Sequence, residues 1–293
     1  MPMQPLSYAQ LVPDRKKATA TGRGILDPEV HGQRVRTERF ACSPALSSLI
    51  ENYWRLEWSL PGSETFTAQT LPHPTCSLTV ERGHTRPEVT DDPVVITGVV
   101  TRRFDVEVAG EGWVWGIKFR PGGLAAMSGV SARTWRDAVR PAATELPSGL
   151  VEALRGLDAA TPTAELISRT DAALTPYVQQ IDDRRHEQLL IIVAEMLTDR
   201  SLIRVDQLEE RCAVSSRTLQ RLFDFYVGVG PKWVLARYRM HDVVAELDSG
   251  YNGLISDLAA RYGWYDQAHF VGDFTALVGV PPSRYRQRRS EEP

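Results

Sequence analysis

Lysine is scarce in this chain: Lys16, Lys17, Lys118 and Lys232 are the only ones among 34 lysines and arginines. Genomic base composition accounts for most of such a bias. It also leaves the chain with forked guanidinium donors, which fit phosphate and guanine as an ammonium does not. Cysteine is scarcer still. Cys42, Cys76 and Cys212 are odd in number and far apart, which excludes a disulfide framework and a CxxC metal pair and fits a reducing cytoplasm. No stretch of about 18 apolar residues occurs, so no membrane span is expected. The N-terminus has no apolar segment ahead of a small-residue cleavage site, so no secretory leader is expected. Excess positive charge is missing too. The formal net charge is −3, so any polyanionic partner must be met by local placement of charge.

What is present is ordinary globular composition, 42% hydrophobic and 24% charged over 293 residues, a length that favours two domains. Residues 1–37 are polar, punctuated by Pro and Gly, and read as a loose N-terminal arm. Residues 38–180 differ. From Ile50 to Gly123, short β-branched and aromatic runs such as "NYWRLEWSL", "CSLTVERG" and "FDVEVAGEGWVWGIKF" alternate with Pro, Gly, Asp and Ser. An antiparallel barrel or sandwich reads this way. "RPGGLAAMSGV" is a turn into a short helix. Beyond Leu124, "GLVEALRGLD", "TAELISRTDAAL" and "RHEQLLIIVAEMLTD" show helical spacing. The proline and charge cluster of "DAALTPYVQQIDDRR" marks a linker with its boundary near residue 180, and residues 181–293 read as all-helical. The expected fold class is α+β multidomain: an N-terminal antiparallel β-barrel or sandwich with trailing helices, then an all-α domain.

The last ninety residues repeat themselves. Leu208, Ala213, Val214, Leu219, Phe223, Gly228 and Pro231 recur as Leu258, Gly263, Trp264, Phe270, Phe274, Gly279 and Pro282, the second copy carrying one extra residue after Trp264. Each copy reads as a helix, a tight turn at a small residue, and a second helix, the helix-turn-helix. In the first copy Leu219, Leu222, Phe223 and Tyr226 share one face. Ser216, Arg217, Gln220, Arg221 and Asp224 fall on the other, with Thr218 beside them. Two arginines and a glutamine on one exposed face suit guanine and adenine edges in a major groove. A solvated polar face is the alternative, and the duplication weighs against it. Ser215 can cap the helix, whose N-terminus would then face a phosphate. Between the copies, a helix from Pro231 to Gly250 would hold the two second helices about one DNA turn apart, ~34 Å. Lys232 at its start is a phosphate candidate. Residues 200–290 hold 13 Arg and Lys against 10 Asp and Glu, a net +3, while the remainder holds 21 against 27, a net −6. Non-specific affinity for DNA should therefore be weak, and specificity should rest on shape and base contacts.

"DLAARYGWYDQAHFVGDFTALVGVPPSRYRQRR" closely resembles the C-terminal signature of the AraC/XylS family of bacterial transcription regulators, a likeness that covers roughly residues 185 to 289. "GRGILDP", "LPHPTCSLTVERG", "ITGVVT" and "GIKFRPGG" resemble the cupin-like half-barrel sensor module of one AraC subgroup. The resemblance implies that Arg217, Gln220 and Arg221 stand where family members contact bases, with Gln267, Ala268 and Val271 on the matching face of the second copy. The chain departs from the pattern at Gly272, where members often carry arginine, so unequal half-sites are expected. Thr275, Arg284, Arg286, Arg288 and Arg289 are further phosphate candidates, or a solvated tail.

The N-terminal part offers no catalytic constellation. His73 and His84 are the only histidines among the expected strands, with no HxH pair, so neither a metal site nor a cofactor is expected. GxSxG is absent. Ligand sensing remains, with Trp54, Trp113, Trp115, Arg120 and Cys76 as candidates. Trp54 and Trp58 would share a strand face, as would Trp113 and Trp115. Each tryptophan reads equally as core, Cys76 as a buried thiol or a sensor, and Arg120 as a partner for an acidic ligand or a clasp for its turn. The resulting expectation is a cytoplasmic, non-enzymatic, DNA-binding transcription regulator under small-molecule control, with double-stranded DNA, RNA polymerase and a second copy of the chain as partners. The alternatives are a ligand-independent regulator whose N-terminal domain binds a protein, and an enzyme or repair domain fused to a DNA reader.

Overall fold

The computed structural model describes residues 24–83, 86, 92–179 and 183–291. His84, most of the expected arm and the expected boundary near residue 180 lie outside the described residues. Residues 24–37, assigned above to that arm, are instead built into the domain. Ile25 bridges to Thr70, helix α1 spans Pro28–Arg34, and Leu26, His31 and Val35 are buried. These anchors are spaced too thinly to show a period in the sequence.

Among the described residues eight strands follow: β1 Arg36–Phe40, β2 Ile50–Ser59, β3 Thr65–Thr70, β4 Ser77–Gly83, β5 Val94–Thr97, β6 Phe104–Ala109, β7 Glu111–Phe119 and β8 Val139–Pro141. Six form one antiparallel sheet in the order β1-β2-β7-β4-β5-β8, and β3 pairs with β6 in a second sheet. The central strand β7 is apolar on both faces because both are covered. Trp113, Trp115, Ile117 and Phe119 enter the main core, while Val114 belongs to a smaller cluster with Trp58 and Val108. Gly112 and Gly116 lie under the indoles of Trp58 and Trp54, and a Cβ at either would overlap the ring. Helices α2 (Gly123–Ser128), α3 (Ser148–Arg155) and α4 (Thr163–Val178) follow. Three polar anchors hold α4 to the sheet: the Tyr53 hydroxyl donates to Asp171 Oδ1 at 2.7 Å, Trp115 Nε1 to Thr170 Oγ1 at 3.0 Å and Arg55 Nη1 to Thr163 Oγ1 at 3.3 Å. Pro176, read as a linker signal, sits in the final turns of α4.

The helical half comprises α5 (Arg184–Thr198), α6 (Val205–Cys212), α7 (Ser216–Leu222), α8 (Pro231–Asp248), α9 (Ile255–Arg261), α10 (Gln267–Val278) and α11 (Pro282–Glu291). It is not a separate body. One apolar core runs from the sheet through α5 into α6, α7 and the start of α8, and the second core, under α9 and α10, takes in Leu26 and Leu71 from the strand half. At the seam, Gly122 (φ +82°) lies under Leu189, Tyr226 and His186, where a Cβ would stand 2.7 Å from Leu189 Cδ2. Gly228 (φ +80°) meets the Ala132 backbone as closely. The helix expected through Tyr226 widens after Leu222 into a π segment, Phe223–Val227. Phe223, Tyr226 and Val227 are buried there, and the Tyr226 hydroxyl donates to Asp183 Oδ2 at 2.5 Å.

The sequence repeat is a structural repeat. Ala213 and Gly263 both take left-handed backbone, φ +50° and +76°. Ser215 and Asp266 each accept a hydrogen bond from the amide three residues on, at 3.3 and 2.7 Å. The pairs Leu208 and Leu258, Val214 and Trp264, Leu219 and Phe270, and Phe223 and Phe274 are buried. Gly228 and Gly279 are again left-handed, and Pro231 and Pro282 begin the next helices. A left-handed alanine costs about 1–2 kcal/mol that glycine escapes, offset by the freedom glycine adds to the unfolded chain. Ala213→Gly should therefore raise stability by about 0.5–1 kcal/mol, seen as a higher urea midpoint at unchanged slope. A lower midpoint would show that the methyl packs usefully at this turn.

Candidate nucleic-acid interface and sensor cavity

In the first unit, the fold turns Ser216, Arg217, Gln220 and Arg221 outward while Leu219 and Leu222 are buried beneath them. Thr218 is half-buried, its hydroxyl 3.0 Å from that of the capping Ser215. Asp224, the acidic member of this face, lies 3.3 Å from Arg133 of the strand half. An exposed pair of this kind is weak, but it offsets negative charge beside the outward arginines. Lys232 is exposed at the start of α8.

The second unit presents a different surface. Gln267 and Ala268 are exposed, Val271 is half-buried, and Gly272 faces open space. Asp273 accepts from Trp264 Nε1 at 2.8 Å and lies 3.4 Å from His269 Nε2. The Thr275 hydroxyl donates back to the Val271 carbonyl at 2.6 Å. Arg284 and Arg288 are exposed, whereas Arg286 donates to the Gly253 carbonyl at 2.7 Å. The side chain of Arg289 is outside the described residues. Two residues of this unit escaped the sequence reading. Tyr265 is 95% exposed directly ahead of α10. Arg239 of α8 donates to the carbonyls of Tyr262 and Gly263 at 3.0 and 3.2 Å and stacks over Trp264 at 4.8 Å, so it locks the turn. The one extra residue of the second copy could have drawn attention to Tyr265. Nothing in the pattern distinguishes Arg239.

Between the two sheets lies a cavity of about 270 Å³. Trp54, Leu56, Trp58 and Val114 form one wall, and Ala68, Phe104, Val106 and Val108 another. Of its charged lining, Lys118 and the pair Glu81 and Arg86 are neutralised at source. Lys118 Nζ is 3.1 Å from Glu51, and Glu81 is held by Arg86 and by the Thr79 hydroxyl at 2.7 Å. Burial, reinforced by the charge of Arg39, pulls the pKa of the lining His31 down.

Of the sensor candidates, Trp54 lines this cavity. Trp113 and Trp115 face the opposite side of β7 in the main core, as the alternation of a strand requires. Cys76 is in that core too, and burial pushes its thiol up to about 12; Cys42 is pushed up to about 11. Neither is poised as a thiolate at neutral pH. Arg120 Nε donates to the Ser47 carbonyl at 2.6 Å, so it ties the end of β7 to the segment ahead of β2 rather than closing its own turn. Trp58, the strand-face partner of Trp54, lines the cavity with it.

The cavity wall also touches the helical half. His73, in the wall, stacks on His241 of α8 at 4.2 Å, and His241 Nε2 is 2.9 Å from the carbonyl of the wall residue Pro72. Arg103, beside the wall residue Phe104, donates to the Val278 carbonyl at the end of α10 at 3.2 Å. Among the described residues, no three His, Cys, Asp or Glu side chains gather as metal ligands, and no helix is long and apolar enough to cross a membrane.

Residues 38–141 match a family described as a domain of unknown function, DUF6597, and residues 208–288 match a family described as a helix-turn-helix domain. Among solved structures, the chain resembles a transcriptional regulator with an AraC-type DNA-binding domain from Chromobacterium violaceum. The identity is 20% over 36% of this chain and 96% of that one, at a TM-score of 0.33. It also resembles ToxT from Vibrio cholerae, 11% identical over 87% of this chain and 98% of that one, at a TM-score of 0.40. A further structure, of ToxT bound to (E)-4-(8-methylnaphthalen-1-yl)but-3-enoic acid, matches at 11% identity over 87% of this chain and 99% of that one, with a TM-score of 0.41. The matched helix-turn-helix domain spans the duplicated unit, whose turns, caps and buried positions correspond between the two copies on either side of the one inserted residue. The chain thus carries a helix-turn-helix domain over residues 208–288, and in that part it resembles the AraC/XylS family of DNA-binding transcription regulators.

Proposed function

We propose that this regulator is effector-controlled: α7 and α10 read neighbouring stretches of major groove, and the cavity between the sheets binds a small organic molecule that changes how firmly they engage. The observation that carries this reading is the double use of the cavity wall. Pro72 and His73 line the cavity and also hold α8, while Arg103 adjoins the wall and holds the end of α10. A ligand that fits one setting of this wall better than another shifts the helical half by its difference in affinity. The cavity is slightly below the usual ~300–1,000 Å³ of ligand pockets and mostly apolar, which suits a compact molecule.

In this reading Ser216, Arg217, Gln220 and Arg221 contact bases from the first unit, and Gln267, Ala268 and Val271 from the second. Ser215, Thr218, Lys232 and Arg284 position the phosphates. Helix α8, 18 residues and so about 27 Å long, spaces the two units. RNA polymerase and a second copy of the chain are the protein partners.

Selection from a random duplex pool should enrich a bipartite motif. Arg217→Ala should blur one half of it and weaken binding by about 1–3 kcal/mol, the worth of one bidentate base contact. Uniform weakening without blurring would make Arg217 a phosphate contact. Gly116→Ala tests the cavity. Its methyl must push the Trp54 indole off the sheet, at about 1–3 kcal/mol of stability. Small aromatics that shift the melting temperature and tryptophan emission of the wild type should lose both effects in this variant. Unchanged responses would place their binding elsewhere.

A further inference from the structure

The two units share a scaffold but not a reading chemistry. In the register of the repeat, Arg217 corresponds to Ala268, Gln220 to Val271 and Arg221 to Gly272. The three long hydrogen-bonding side chains on the outward face of α7 thus have short apolar or absent counterparts on α10. Ser216 corresponds to Gln267, the one long amide the second unit keeps on that face. The carboxylate of Asp273 is engaged by Trp264 Nε1 and lies beside His269.

The extra residue of the second copy adds to this. After Val214 the first copy proceeds directly to its cap, Ser215, whereas after Trp264 the second inserts Tyr265 before its cap, Asp266. Tyr265 is 95% exposed, more than any other large hydrophobic residue described. It stands at the N-terminal end of α10, the end by which recognition helices meet base edges. Alanine and valine cannot donate to guanine O6 and N7, and a tyrosine offers one hydroxyl where that pair of acceptors takes two donors. The group in the major groove that an apolar side chain does match is the thymine C5-methyl, and a glutamine amide matches adenine N6 and N7.

We infer that the second unit reads an A·T-bearing half-site through thymine methyls packed on Tyr265, Ala268 and Val271, with Gln267 on adenine, whereas the half-site of the first unit is read through guanine. This rests on the proposal that α7 and α10 both enter the major groove. Operator recognition is then chemically asymmetric, and the asymmetry fixes the direction in which the protein lies on its site.

The test alters the DNA rather than the fold. The duplex enriched by the full-length chain is resynthesised with deoxyuridine, which lacks the methyl, in place of thymidine in one half-site at a time. The half belonging to the first unit is the one that Arg217→Ala blurs. In the other half, each substitution should raise Kd about threefold to fourfold, the equivalent of one buried carbon group at ~0.8 kcal/mol. In the first half it should leave Kd unchanged. Tyr265→Ala, at a fully solvated position, should raise Kd and reduce the uridine penalty. Sequence-specific binding indifferent to uridine in both halves overturns the methyl reading and leaves the DNA-reading proposal standing, as does a G·C-only second half-site. Failure of the folded protein to enrich any motif overturns both.

Discussion

Backbone can come no nearer to backbone than glycine allows, and the seam between sheet and helices is built at that limit. Gly122 sits under Leu189, Tyr226 and His186, and Gly228 against Ala132, both in left-handed conformation. Because these two positions carry no side chain, the sheet core and the core of the first unit merge into one. Much else follows. The π segment after α7 is what brings Phe223, Tyr226 and Val227 to the seam. The loops that wall the cavity then lie close enough for His73 to stack on α8 and for Arg103 to reach the end of α10. The cavity in one half and α7 and α10 in the other are thus parts of one packed object, and the proposed control uses this, because close-packed interiors do not absorb a shift at one wall.

Duplication supplies the other half of the design. Both units keep the positions that make the motif fold: a left-handed residue at the turn, a side-chain cap, buried residues at matching places, and a glycine closing the second helix. What varies is the outward face. Arg217, Gln220 and Arg221 on one unit against Ala268, Val271 and Gly272 on the other leave the scaffold intact while changing what it can touch.

The repeat was legible in the sequence because its constraints are local: a turn, a cap and a 3.6-residue period each leave a residue-level mark. The strand character of residues 50–119 was legible for the same reason. Residues 24–37 were misread because Leu26, His31 and Val35 are anchored by distant strands, and tertiary burial of sparse residues leaves no period. The cavity wall was half legible. Strand parity placed Trp54 with Trp58 and Trp113 with Trp115, but parity alone cannot say which face has a cavity and which a core. The run "GWVWG" carries a mark of the cavity face: Gly112 and Gly116 flank the core-facing tryptophans on the other face, where their missing Cβ atoms let Trp54 and Trp58 lie against the strand. The clasp of Arg239 on the Tyr262 and Gly263 carbonyls left no such mark.

The sheet and the first helix-turn-helix unit share one core, and calorimetric unfolding of the full-length chain tests this most directly. A shared core predicts one transition for these parts, with calorimetric and van't Hoff enthalpies in agreement. Two resolved transitions, one following the near-ultraviolet signal of the sheet tryptophans and one the helical far-ultraviolet signal, would contradict it. The strand half and the helical half would then be independent bodies joined only by a tether.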